Sequence, residues 1–170
     1  MQDNAIRDAL QQAASYLREH PDEARYTDSA ATAVVEAGLS VTVAGPNGET
    51  VRTDMPRSVG GSGSAPSPGW LLRAAQASCL ATLIAMRAAQ REVRLERLEV
   101  QVTSESDDRG ILGVDDAIPA GPLSTVARVM VKAADGNDVT SIVEWAAQHC
   151  PVQDALRRAV QCSVELDVPD

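Results

Sequence analysis

Pro68-Gly69-Trp70-Leu71-Leu72-Arg73-Ala74-Ala75-Gln76-Ala77-Ser78-Cys79-Leu80-Ala81-Thr82-Leu83-Ile84-Ala85-Met86-Arg87-Ala88-Ala89-Gln90-Arg91 is the stretch that decides the fold. From Trp70 on it holds no Gly or Pro and is rich in Ala and Leu, which predicts a helix over Trp70–Arg91. At about 100° per residue, Arg73, Gln76, Arg87, Gln90 and Arg91 gather in one sector. Most of the remaining circumference is apolar, so the helix is expected inside a core or against a partner. Cys79 sits near its middle, between Ser78 and Thr82. Two readings of that thiol stand side by side: a small buried hydrophobe, the usual fate of a free Cys, or a nucleophile in a protected pocket.

Working outward toward the N-terminus, Pro56 to Pro68 is dense in Gly, Ser and Pro. It lacks the Gly-Lys-Ser/Thr ending and the preceding buried strand of a phosphate loop, and reads as a shaped loop feeding the helix. Ser67 is a good N-cap and Pro68 a good first helical residue. Before it, Gly45-Pro46-Asn47-Gly48 is a hairpin turn. Leu39, Val41 and Val43 alternate on one side, and Glu49–Thr53 returns on the other. Ala30, Thr32, Val34 and Val35 suggest a first strand. Residues 1–30 form a helical extension to a domain spanning 31–170. Within the extension Ile6, Leu10, Ala13 and Leu17 share one face of a helix from Asp3 to Arg18, suited to packing on the body of the protein.

Toward the C-terminus, Leu98, Val100 and Val102 predict a strand, and Ser124–Ala133 another. Asp107-Asp108-Arg109-Gly110 is a polar break, and 111–122 is loop-like. Ser141 with Glu144 fits a capping box, opening a helix through Gln148. Pro151 opens a second helix, Val152–Val160, capped by Cys150. Gln161–Val168 alternates as a final strand, which places Cys162 on an apolar face. Hairpin, long helix, two strands, two helices and a strand make an α+β domain with a mainly antiparallel sheet and helices on one face.

Composition narrows the function. The 170 residues suit one domain with a real core. A formal charge of -9, no Phe, two Trp and two Tyr argue against nucleic acid and against base-stacking surfaces. No apolar run is expected to span a bilayer, and Met1-Gln2-Asp3-Asn4 lacks the start of a signal peptide, so a cytoplasmic protein is expected. Three widely spaced Cys make no disulfide scaffold. With two His and no Cys-x-x-Cys, no metal site or cofactor is expected. Cys150, at a helix N-terminus, feels the macrodipole and free N–H groups, which favour thiolate; a shielded structural cap is the alternative. His149 stands beside it.

Several of these residues together resemble the OsmC/Ohr family. They are Gly60-Gly61, Pro66-Ser67-Pro68, Leu71-Leu72-x-Ala74-Ala75 and Ser78-Cys79-Leu80-Ala81-Thr82, then Leu98-Glu99-Val100-x-Val102, Asp108-Arg109-Gly110 and His149-Cys150-Pro151-Val152. The likeness covers about residues 39–168. It implies an OsmC-like fold, an antiparallel sheet on a long central helix, in an intertwined homodimer. It implies that Cys79 attacks an organic hydroperoxide and becomes a sulfenic acid. Cys150 then condenses with it to a disulfide, and an external dithiol, lipoyl or thioredoxin-like, reduces that. The rival implication is a member without peroxidase activity that binds a hydrophobic small molecule at the dimer interface or acts structurally. Two departures bear on the choice. Gly69 stands where peroxide-reducing members carry Glu, and Glu36-Ala37-Gly38 stands near where they carry Gly-Gly-Arg. Arg25, Arg52, Arg57 and Arg73 are the substitutes to weigh.

Overall fold

A computed structural model describes residues 2–158 and 160–168. The elements run α1 (Gln2–Glu19), β1 (Thr32–Ala37), β2 (Ser40–Ala44), β3 (Thr50–Thr53), α2 (Pro68–Gln90), β4 (Leu95–Glu105), α3 (Asp108–Ile111), β5 (Ser124–Ala133), α4 (Thr140–His149) and α5 (Pro151–Arg157). The α+β class and the antiparallel pairing agree with the sequence. The sheet, however, is two sheets: β1-β2-β3, and β4 with β5.

The Asn47-Gly48 hairpin joins β2 to β3, with Val43 opposite Val51 and Gly45 N–H donating to the Glu49 carbonyl at 2.9 Å. β1 folds back on β2 through Gly38, whose φ of +59° needs a residue without Cβ. β1 is exposed throughout, and Val34, Val35 and Val51 face outward. β4 and β5 pair over their whole lengths, Val100 opposite Val129. Their inner faces, Leu98, Val100, Ala127 and Val129, pack on the core. The Val126–Met130 face of β5 is exposed.

α2 is the longest helix among the described residues, 23 residues capped by Ser67, which accepts from Trp70 N–H. Leu80, Ile84 and Ala88 of α2 meet Ile142, Ala146 and Cys150 in one buried cluster. The polar sector expected from the sequence is the packed one. Gln76 is 3% exposed on the same stripe as Leu80, Ile84 and Ala88, and Arg87 lies 4.5 Å over the Trp145 ring of α4. On the far side Ala75, Ser78, Thr82 and Ala85, all small, are exposed. Contrary to the expectation from the sequence, α2 has the length and mean hydropathy of a bilayer-crossing segment, though its Leu80–Ala88 stripe is spent on the core.

Other expectations are corrected. The capping box does not form: Ser141 lies inside α4, and Asp138 accepts from Thr140 N–H at 2.8 Å instead. The polar break at Asp107–Gly110 is a short helix capped by Asp107. Helix α5 stops at Arg157, short of Val160. Gln161–Val168 forms no strand; Val164 and Leu166 are almost fully exposed, and Cys162 is exposed rather than in the core. A strand needs a neighbour to pair with, and alternation alone supplies none. On α1, Ile6 and Leu10 are half-buried against the body, whereas Ala13 and Leu17 stay exposed.

The Gly/Ser loop is held from one point. Asp54, 2% exposed, accepts from the Met55 N–H and from the N–H and hydroxyl of both Ser62 and Ser64. Gly61 packs so tightly there that a Cβ would sit 1.8 Å from the Met55 carbonyl oxygen.

Candidate functional site

Cys79 is brought to the Cys150 end of the core by the turn count of α2. One turn on from Gln76 and one residue before Leu80, it is half-buried against the cluster that contains Cys150. Cys150 caps α5 as the sequence predicts and is fully buried. Burial pushes its thiol up; N–H groups of Gln153 and Val152 oppose this, and the Cys79 side chain, a hydrogen-bonding neighbour, adds to it. Both thiols are free. Thus two Cys separated by 70 residues of sequence share one site, and Cys162 lies outside it, exposed in the terminal segment.

The groups expected to assist are engaged elsewhere. His149 Nδ1 lies 2.8 Å from the Trp145 carbonyl, and its ring stacks on Trp145 at 4.1 Å. The Ser78 hydroxyl donates to the Ala75 carbonyl. Arg73 donates to Ser104 Oγ at 3.1 Å, Arg52 to Ser40 Oγ and Arg57 to the Ser62 carbonyl, while Arg25 is exposed. Among the described residues no group of three or more His, Cys, Asp or Glu could hold a metal.

Two cavities flank α2. One, of about 490 Å³, opens at its N-terminus and is lined by Gly69, Leu72, Arg73, Met55 and Ile111. A Cβ on Gly69 would meet nothing nearer than Ser67 Oγ at 3.8 Å and Arg73 Nη1 at 4.0 Å, so the position has room for a side chain. The second, of about 360 Å³, lies between α2, β5, α4 and α5 and includes Gln76, Leu80 and Gln153. Gln76 and Gln153 each keep a buried carbonyl oxygen without a partner. Sequence reading passed over both. The signal available was position: Gln76 is three residues before Cys79, and Gln153 three after Cys150. It also passed over Asp54, whose only mark was its place before the Gly/Ser loop.

A family model described as OsmC-like protein matches residues 61–165. No curated protein matches the sequence. Among solved structures, the chain is similar to an organic hydroperoxide resistance protein of Legionella pneumophila. Identity there is 22%, with 78% of this chain and 91% of that one covered at a TM-score of 0.59. An OsmC-like protein of Mycoplasma pneumoniae is 15% identical, with coverages of 79% and 91% and a TM-score of 0.66. An organic hydroperoxide resistance protein of Bacillus subtilis is 18% identical, with coverages of 78% and 93% and a TM-score of 0.51. With the family model spanning both Cys79 and Cys150, the chain belongs to the OsmC-like protein family.

Proposed function

We propose that this protein reduces organic hydroperoxides with Cys79 as nucleophile and Cys150 as resolving residue, working as a cytoplasmic homodimer. The observation that carries the reading is packing: of three thiols, Cys79 lies against the buried cluster that contains Cys150, and Cys162 is exposed in the terminal segment. In the first step the Cys79 thiolate attacks the terminal peroxide oxygen. The O–O bond breaks, the alcohol leaves after taking a proton, and Cys79 becomes a sulfenic acid. In the second, Cys150 sulfur displaces water from that sulfenic acid, forming the Cys79–Cys150 disulfide. An external dithiol, lipoyl or thioredoxin-like, then exchanges with the disulfide and restores both thiols. The buried Cys150 thiol, pushed up by desolvation, suits the later step, since it remains protonated while Cys79 reacts.

Support for the dimer is the uncovered Ala75, Ser78, Thr82 and Ala85 stripe of α2, together with the outward Val164, Leu166 and Val168 of the terminal segment. A second reading, an OsmC-like binding protein without peroxidase chemistry, is favoured by Gly69 and by the engagement of Arg52, Arg57 and Arg73 away from the thiols. One experiment separates the two. The reduced protein is exposed to cumene hydroperoxide, and peptides are examined by mass spectrometry. The peroxidase reading expects stoichiometric loss of two thiols and a Cys79–Cys150 peptide. Retention of both thiols establishes the binding reading, and a dominant Cys79–Cys162 peptide overturns the assignment of roles.

A further inference from the structure

Cys150 is the single residue between α4 and α5, and it is tied to both. Pro151 has no N–H, so the Ala147 carbonyl loses its helical donor, and Arg157 Nη1 of α5 reaches that carbonyl at 3.4 Å. The Asp154 N–H donates to the Cys150 carbonyl at 2.8 Å. The cysteine therefore travels with α4, and its distance from Cys79 is set by where α4 sits along α2.

Two kinds of contact join those helices. The first is the buried stripe, Leu80, Ile84 and Ala88 against Ile142, Ala146 and Cys150. Apolar burial has no direction of its own. With Ala88 and Ala146 in it the stripe is shallow, so a slide by a fraction of a turn keeps most of the burial. The second contact is directional. The Arg87 guanidinium lies 4.5 Å over the Trp145 ring. His149, one turn on, stacks on Trp145 at 4.1 Å, with its Nδ1 2.8 Å from the Trp145 carbonyl, and so fixes the orientation of the ring. Arg87 has little else to hold it. Its Nε is buried without a partner. Among the described residues the guanidinium makes no ion pair and one hydrogen bond, to Gln90 of its own helix. The two points of contact run in antiparallel order. Cys79 is a neighbour of Cys150, and Arg87, eight residues or about 12 Å further along α2, meets Trp145, five residues back on α4.

We infer that Arg87 and Trp145 are positioning residues that set the register of α4 on α2 and so hold Cys150 where Cys79 can bond it. The inference rests on the proposed Cys79–Cys150 disulfide. Such a bond needs its Cβ atoms about 3.8 Å apart with about 0.5 Å of latitude, whereas a slide of half a helical turn is about 2.7 Å. The apolar stripe holds the helices together, and the cation on the ring decides which residues lie opposite.

The test measures the dithiol–disulfide equilibrium of the full chain in glutathione buffers, with Cys162→Ser so that two thiols remain. Oxidised glutathione takes up the two electrons: the protein dithiol becomes the Cys79–Cys150 disulfide and two glutathione thiols are released. Alkylation and intact mass give the constant. We expect Arg87→Met and Trp145→Leu each to shift it about tenfold toward the dithiol, the size of one desolvated cation–π contact. Arg87→Lys and Trp145→Phe, which keep a charge and a ring face, should recover part of the loss. The double variant should fall no further than either single one, because both remove the same contact. Gly61→Ala, which destabilises the chain from the Gly/Ser loop, should leave the constant unchanged and so separates register from stability. Arg87→Met serves alone if Trp145→Leu does not fold. A parent that forms no such disulfide, an unmoved constant in the single variants, an equal shift in Gly61→Ala, or additive losses in the double variant overturns the inference. Consumption of cumene hydroperoxide by the parent is measured separately. Consumption with an unmoved constant in the variants removes the positioning role alone. The expected shifts without consumption remove the peroxidase reading alone.

Discussion

Asp54 is a buried carboxylate that makes no ion pair among the described residues and is kept ionised by hydrogen-bond donors. The Ser62 hydroxyl first, then the Ser64 N–H, hold its carboxyl far below the usual carboxylate range. A carboxyl depressed in the folded state adds stability at any pH above its unfolded value of about 4. That contribution shrinks as pH falls below about 4 toward the folded value. Asp54→Asn should therefore melt below the parent protein at neutral pH, and the gap should close as the pH is lowered from 5 toward 2. Thermal scans across about that range check it, and a gap constant with pH would refute it. Gly69 is the opposite case, a position with nothing in it. It lies in the first turn of α2, where Gly costs about 1 kcal/mol in helix propensity and an acid is favoured by the macrodipole. Gly69→Glu should raise stability by about 1 kcal/mol in urea titrations. Its carboxylate can also reach Arg73, which is 4.0 Å from the missing Cβ. If the paired arginine assists the thiol, oxidation of Cys79 by cumene hydroperoxide should become faster in that variant.

At the scale of elements, the loop before α2 behaves as a rigid part. One of its glycines has no room for a side chain. A Cβ on Gly61 runs into the Met55 backbone, whereas one on Gly121, in the separate loop before β5, meets nothing within 4 Å. Gly61→Ala should destabilise the protein by several degrees of melting temperature and loosen the serine contacts to Asp54; Gly121→Ala should leave it unchanged. Equal effects would show that the loop gives way. Helix α2 itself is held by its buried stripe, so the Cys79–Cys150 juxtaposition depends on Leu80, Ile84 and Ile142 more than on anything the cysteines do for themselves.

For the whole molecule, the single chain leaves its long helix covered on one side only. The exposed side is lined by Ala75, Ser78, Thr82 and Ala85, short side chains that allow close approach of another surface. Association through this face predicts that the parent protein sediments as a dimer. Thr82→Arg, placing a long cation in the middle of the stripe, should yield a folded monomer, with circular dichroism unchanged and the sedimentation coefficient reduced. A monomeric parent, or a dimer indifferent to that substitution, would remove this face from the assembly.

Much was determined by local chemistry. Ser67 and Pro68 start a helix because one accepts an orphan N–H and the other needs none. Asn47-Gly48 turns a hairpin because its glycine takes positive φ, and β5 runs Ser124–Ala133 as its alternation requires. The family motifs and the two cysteines were legible for the same reason, being short patterns in sequence. Three things required the tertiary structure. Whether Gln161–Val168 is a strand depends on a pairing neighbour, not on its own alternation. Which sector of α2 faces inward depends on what packs there, and Arg87 and Gln76 lie inward because Trp145 and the cavity receive them. That Cys79 meets Cys150, and that Gln76 and Gln153 share a cavity, follows from crossing helices distant in sequence. No pattern along one chain segment encodes the distance to another.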